Sequence, residues 1–306
     1  MDLTLNNDKY KLPDSWDDLS EGQLLRIADL ANKSIPVNQF KTHILLSILG
    51  FQSGNRMYAY SHSQQSPTTT KDKELCYVLK DYKNKKRYLI SITDLAYIVT
   101  NSLGFLFKES IIENKQHIEI DCKLNKTIIT SIPLQGEKWF GPGDSLSNST
   151  YEEYIRCLVS ASEYSRGDSA GLDRLICAMY RPGNSENAAE NGDFRQPFND
   201  NLVQHRAKFV ANLHPVLKSA IMLQFNGAIR NLANIFPNAF GSSSSNAKPP
   251  TSRDIFLQQF EIIDNLAQHR IPDKEIIRKS QLYDVLQTLD NVVRQNNELK
   301  RKLKKK

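Results

Sequence analysis

The sequence predicts an α+β chain, predominantly α, with a small helix-plus-hairpin N-terminal unit, a helical middle and a C-terminal helical arm. Three observations predict it. Two candidate hairpins of apolar and β-branched runs lie between Cys76 and Thr130. From Trp139 onward, apolar residues recur at the three-and-four spacing of amphipathic helices. One Ser- and Pro-rich stretch, Gly241 to Ser252, then interrupts the helical part as a linker. The resulting division is an α+β unit over residues 1–138, a helical domain over 139–240, a linker over 241–252 and an arm over 253–306.

The first helix is set by Ser20 followed three residues later by Gln23, a capping-box pattern, with Leu24, Ile27, Ala28 and Ala31 at helical spacing behind it. A second helix runs from near Pro36 to Leu49 and stops at Gly50. Residues 53–73 are polar and read as a loop. Cys76 to Leu79 and Tyr88 to Ile92 flank the charged turn Lys83 to Lys86 as a hairpin, and Thr93 opens a helix to about Phe107. His117 to Cys122 and Thr127 to Thr130 read as a second hairpin.

Beyond the turn Gly141-Pro142-Gly143, two overlapping capping boxes, Ser149 with Glu152 and Thr150 with Glu153, start a helix whose face is Tyr151, Tyr154, Ile155, Leu158 and Ala161. After Gly167-Asp168 a partner helix carries Leu172, Leu175, Ile176 and Met179, and Arg181-Pro182-Gly183 ends it, giving an αα-hairpin. Residues 183–200 read as a surface loop, and helices resume from Asp200 to Phe236 with a break at His214-Pro215. The arm holds a helix from Arg253 to His269 and another from Pro272 onward. In the second, Leu282, Leu286, Leu289, Val293, Asn296, Lys300 and Leu303 form a heptad seam, which serves either a coiled coil or packing within the chain.

Net charge is +6, but six of the 40 basic residues and only one of the 34 acids lie in residues 298–306, which leaves +1 for the rest. The basicity therefore belongs to one segment, and nucleic acid is the lesser partner expectation. The second basic cluster, Lys80 to Arg87, lacks any recognition-helix or aromatic single-strand pattern beside it. No signal peptide is apparent, and the most apolar window, Ile44 to Phe51, is far short of the roughly 20 residues a membrane span needs. A cytoplasmic or virion-associated protein without a membrane partner is expected. Cys76, Cys122, Cys157 and Cys177 have neither zinc nor disulfide-framework spacing and read as reduced, buried thiols.

Three short matches invite an enzyme reading. Gly143-Asp144-Ser145-Leu146 has the letters of the GDSL-esterase nucleophile block, but none of the six histidines follows an Asp by three residues, and a serine needs a positioned base. Gly167-Asp168-Ser169-Ala170-Gly171 and Arg166-Gly167-Asp168 match protease and integrin motifs, yet sit between two helical patterns, where a turn and an N-cap by Asp168 or Ser169 suffice. No nucleotide-binding loop or His-x-x-x-His pair occurs. No catalytic residue, cofactor or metal is therefore expected.

The block Leu12-Pro13-x-x-Trp16-x-x-Leu19-Ser20-x-x-Gln23 pairs with a second one, Trp139-Phe140-Gly141-Pro142-x-Asp144-x-Leu146-Ser147-Asn148-x-Thr150-x-x-Glu153-Tyr154, which leads to Leu172-x-x-Leu175-Ile176-x-Ala178-Met179-Tyr180-Arg181-Pro182. Together they resemble uncharacterised proteins encoded among bacteriophage and prophage tail genes. The second block is also similar to the helical part of tail-assembly chaperones. The resemblance covers about residues 12–25 and 139–183, and implies a non-enzymatic interaction module in virion or tail assembly whose partner is a protein component. Trp139, Phe140, Tyr151, Tyr154 and Tyr180 cluster around the αα-hairpin, and such aromatics either fill a core or anchor an interface. With Leu286, Leu289 and Val293 on the arm, where self-association is a further possibility, they are the candidate partner-binding residues.

Overall fold

The structure, a computed structural model, describes residues 2–5, 8–33, 35, 37–60, 73–81, 85–112, 115–184, 193–241 and 250–303. The chain is α+β and predominantly α. Its contacts separate it into two compact units, Met1–Cys122 and Lys123–Lys306. The division thus falls ahead of the change of period at Trp139, and the expected linker separates no unit of its own.

In the first unit a hairpin of β1 (Asp2–Leu5) and β2 (Asp8–Lys11) precedes α1 (Glu21–Ala31) and α2 (Val37–Leu49). The capping box of α1 forms as the sequence requires: Ser20 Oγ accepts from the Gln23 amide at 3.3 Å, and the Gln23 side chain accepts from the Ser20 amide at 2.9 Å. Leu24, Ile27 and Ala28 are buried, as are Ile44, Leu45 and Ile48 of α2, which packs on α1. Trp16, just before the cap, is buried and donates its indole N–H to the Phe105 carbonyl. An antiparallel sheet of β3 (Phe51–Tyr60), β4 (Lys73–Asp81) and β5 (Arg87–Ser91) follows, and then α3 (Ile92–Ser102) and the hairpin β6 (Phe107–Ile112) with β7 (Lys115–Ile120).

The β4–β5 pair is the predicted first hairpin, with Cys76 opposite Ser91 and Lys80 opposite Arg87; residues 82–84 of its turn lie outside the described residues. Three expectations are corrected. Residues 53–60, read as loop, belong to β3; the rest of that expected loop, 61–72, lies outside the described residues. The helix from Thr93 stops at Ser102, because Gly104–Leu106 turns the chain and Phe107 enters β6. His117 to Ile120 pair with Phe107 to Ser110 rather than with Thr127 to Thr130.

The second unit is helical around a small sheet. β8 (Ser131–Leu134) and β9 (Glu137–Phe140) form a hairpin through Gln135 and Gly136, both at positive φ as a two-residue I′ turn requires, and β10 (Arg181–Pro182) adds to β9. Then come α4 (Tyr151–Ser165), α5 (Ser169–Met179), α6 (Asp200–Val210), α7 (Pro215–Ile235), α8 (Pro237–Phe240), α9 (Ser252–Leu266), α10 (Ile271–Lys279) and α11 (Leu282–Leu303). Thr150, the second of the overlapping candidates, caps α4, and Asp168 caps α5. The α4–α5 crossing needs Gly171: a Cβ there would lie 2.5 Å from the Tyr164 amide nitrogen and 2.7 Å from the Ser160 carbonyl.

The arm is not a detached element within this unit. α9, α10 and α11 all pack on α4, whose buried surface consequently extends past the predicted face to Cys157 and Val159. The expected single helix after Pro272 breaks at Ser280-Gln281, where the chain makes a bridge to Thr150. There the Tyr151 amide donates to the Ser280 carbonyl at 3.0 Å, and the Leu282 amide donates to the Ser149 carbonyl at 2.9 Å.

Candidate interaction surface

Four of the five aromatic candidates are core, which corrects their assignment as partner-binding residues. Trp139 is 2%, Tyr151 0%, Tyr154 4% and Tyr180 0% exposed; Phe140 is half-buried, with Lys138 over its ring. On α4 the cause is α9 and α10 closing over Tyr151 and Tyr154, with the Tyr151 hydroxyl donating to Gln259 at 2.6 Å, whereas Tyr180 is held by Ile129 and by Gln224 of α7, and Arg206 of α6 lies over the Trp139 ring. Burial pushes the Tyr151 and Tyr154 hydroxyls and the Cys157 thiol well above their usual ranges, and the Cys177 thiol up to about 12. Neither thiol is a nucleophile at neutral pH. On the arm, Leu286 is buried, and Leu289 and Val293 are half-buried against the body.

Much of the resembling blocks instead builds a buried lock. Glu153 lies between Arg181, at 2.9 Å, and Arg195, at 2.6 Å. Asp193 lies 2.8 Å from Arg195 and 3.4 Å from Arg181. The guanidinium of Arg195 also donates to the Met179 and Asn148 carbonyls, and that of Arg181 to the Ala178 and Gln196 carbonyls. Beside it the Tyr180 hydroxyl donates to the Ile129 carbonyl at 2.6 Å and accepts from Gln224, whose Oε1 accepts from the Ile129 amide. Two cations and two anions cancel, with their donors satisfied by carboxylates and carbonyls, which is what permits charge in a core. The sequence gives no signal for Asp193 and Arg195, which sit in an Asn- and Gly-rich stretch far from Glu153.

Ser145 is part of the same scaffold. It and Leu146 adopt positive φ, and Ser145 Oγ donates to the Asn125 carbonyl at 3.0 Å while accepting from Asn231 Nδ2 at 2.8 Å. Its hydroxyl proton is therefore committed to a main-chain acceptor. Among the described residues no group of three or more His, Cys, Asp or Glu side chains could hold a metal ion, and no helix is long and apolar enough to cross a membrane. In the Lys80 to Arg87 cluster, Lys86 is paired with Asp8 at 2.7 Å, and Lys83 lies outside the described residues.

The exposed apolar surface lies elsewhere. Between α4, α6, α9 and α10 is a cavity of about 190 Å³ with Ile155, Val159, Phe256 and Phe260 as apolar walls. Its rim carries the Arg156–Asp200 ion pair, Glu152, and Arg278, whose guanidinium lies 4.6 Å from the centre of the Phe260 ring. Burial raises the Glu152 carboxyl above its usual range, against a smaller opposing pull from Arg278. Phe256 and Leu257 are 44% and 54% exposed, and Ile276 on α10 is 64% exposed. Such a site accepts an apolar side chain flanked by polar groups. No protein family, curated protein or solved structure matches the chain.

Proposed function

We propose that the chain is a non-enzymatic protein-interaction module, a chaperone or structural accessory in phage-type virion or tail assembly, acting in the host cytoplasm or on the virion. The observation that carries the interaction reading is where uncovered apolar side chains fall. Of the thirteen large apolar residues left exposed among the described residues, seven lie between Phe256 and Leu303. Apolar exposure concentrated on the three successive helices α9, α10 and α11 supports a docking role for the arm. The cavity under Phe256 and Phe260 is the natural anchor point. The phage-type setting is supported by the resemblance of residues 12–25 and 139–183, and the non-enzymatic reading by the commitment of Ser145 to Asn125 and Asn231.

A basic nucleic-acid accessory protein is the second reading, favoured by the exposed Lys300, Arg301 and Lys302 on α11. Co-expression with the products of neighbouring genes separates the two. A virion or tail component should co-purify with the chain, and Leu257→Lys with Ile276→Lys should weaken its binding by about tenfold or more. Retention on duplex DNA that matches or exceeds protein binding and falls steeply with salt, unchanged by that pair of substitutions, would establish the second reading instead.

A further inference from the structure

We propose that the distal half of α11 is a docking helix for an acidic helix of a partner protein, the two pairing as a short coiled coil seamed by Val292, Asn296, Leu299 and Leu303. The proposal rests on the interaction reading above and adds the chemistry of the partner.

The two halves of α11 differ in what covers them. Leu282, Val285 and Leu286 are buried, Leu289 and Val293 are half-buried, and Asp290 accepts from the Asn238 and Ala239 amides at the start of α8. From Arg294 through Leu303 every residue is exposed. Val292 is 40%, Leu299 58% and Leu303 73% exposed. With Asn296 they follow a four-three-four spacing, which at 100° per residue confines them to an arc of about 60°. That stripe is displaced from the Leu282, Leu286, Leu289, Val293 seam that faces the body, so packing within the chain does not account for it.

The spacing puts Val292 and Leu299 at d positions and Asn296 and Leu303 at a positions of a heptad. A lone Asn at an a position is the polar residue that fixes register in two-stranded coils. It also interrupts the stripe for lipid, where a polar group on the buried face is a cost, and none of the four residues is aromatic. Charge chooses between the remaining occupants. Lys300 and Lys302 hold the e and g positions that flank the seam, and with Arg301 they have no ion-pair partner among the described residues. The single acid of this half, Glu298, lies 3.9 Å from Arg294. A second copy would set these cations against one another, and nucleic acid would leave Leu299 and Leu303 in water. A helix with Glu or Asp at its own flanking positions satisfies both the charge and the apolar stripe.

The test uses the full chain and a synthetic three-heptad peptide with Glu at e and g, Leu at d, and Val with one Asn at a, followed by calorimetry. The peptide should bind, and binding should weaken as salt rises. Leu299→Ser with Leu303→Ser should weaken it by about tenfold or more. Lys300→Glu with Lys302→Glu should reverse the preference toward the otherwise identical peptide with Lys at e and g. The proposal is overturned if the wild-type chain does not prefer the acidic peptide to the basic one. It is equally overturned if the chain binds phosphatidylserine vesicles or duplex DNA more tightly than the acidic peptide, or if sedimentation shows a dimer that Leu299→Ser dissolves. Should the acidic peptide fail while a virion or tail component still binds in a manner sensitive to Leu257→Lys and Ile276→Lys, only this proposal falls and the interaction module stands.

Discussion

The α4–α5 hairpin and the distal half of α11 are both rich in charge, and they handle it in opposite ways. Against the hairpin, its own Glu153 and the Arg181, Asp193 and Arg195 that follow it are buried and answer one another within a shell of carbonyls. On α11, Lys300, Arg301 and Lys302 stand in solvent with no ion-pair partner among the described residues, beside apolar side chains that nothing covers. Closed charge marks the region that must not change, and open charge marks the region free to meet something else. Stability should therefore be concentrated in the first and binding in the second.

The strongest break of that contrast is Arg195→Ala. It leaves Glu153 and Asp193 with one buried cation between them, and chemical denaturation should record a loss of about 3–5 kcal/mol. Gly171→Ala follows: its methyl would meet the Tyr164 and Ser160 backbone of α4, which cannot swing aside as a side chain can, so about 1–3 kcal/mol should be lost. Tyr180→Phe removes the donor to Ile129 and leaves that buried carbonyl with fewer partners, for about 1–2 kcal/mol by the same measurement. Leu299→Ser with Leu303→Ser should change stability by no more than about 0.5 kcal/mol, since neither side chain is covered. A large destabilisation from the last pair would erase the distinction between the two regions.

Glu152 gives the finest discrimination, through pH. Its carboxyl is held above the ordinary glutamate value of 4.5 in the folded chain, chiefly by burial. Relative to the unfolded chain, the protonated form is favoured by folding, so its contribution is fully present below 4.5 and is lost as pH rises through the raised folded value. Glu152→Gln should accordingly stabilise the chain at pH 7, with the gain shrinking toward zero under acid, as thermal melts across that range would record.

What the sequence disclosed divides along the same physical line. Local signals survived: Ser20 with Gln23, Asp168 ahead of α5 and Pro215 at the start of α7 each act within a turn of themselves, and each marks a helix boundary. Pairings set by distant partners did not. Thr127 to Thr130 has the β-branched look of a strand, yet the backbone of Ile129 is claimed by Gln224 and Tyr180, so no ladder forms there. β1 and β2 are short, and β2, Asp8–Lys11, carries three charged residues in four. The candidate site failed for a related reason. Helical spacing placed Tyr151 and Tyr154 correctly on α4, but only the return of α9 and α10 decides that they are covered, and Tyr180 is closed off by Gln224 of the equally distant α7. On α11 the heptad is legible, and its body-facing residues set a register that runs through Lys300. Past Val293 the body no longer reaches, and Leu299 takes over.

The bridge at Ser280-Gln281 also bears on how this chain is born. The first turn of α4 is completed by a carbonyl that lies far along the chain, and Tyr151 finds Gln259 only once α9 has been made. A ribosome has therefore to release residue 282 before the hairpin's leading end can be finished, although nearly everything else in α4 and α5 is available long before. During synthesis Tyr151 waits uncovered, so a nascent chain stalled before α9 should be a substrate for holding factors that the finished protein no longer needs.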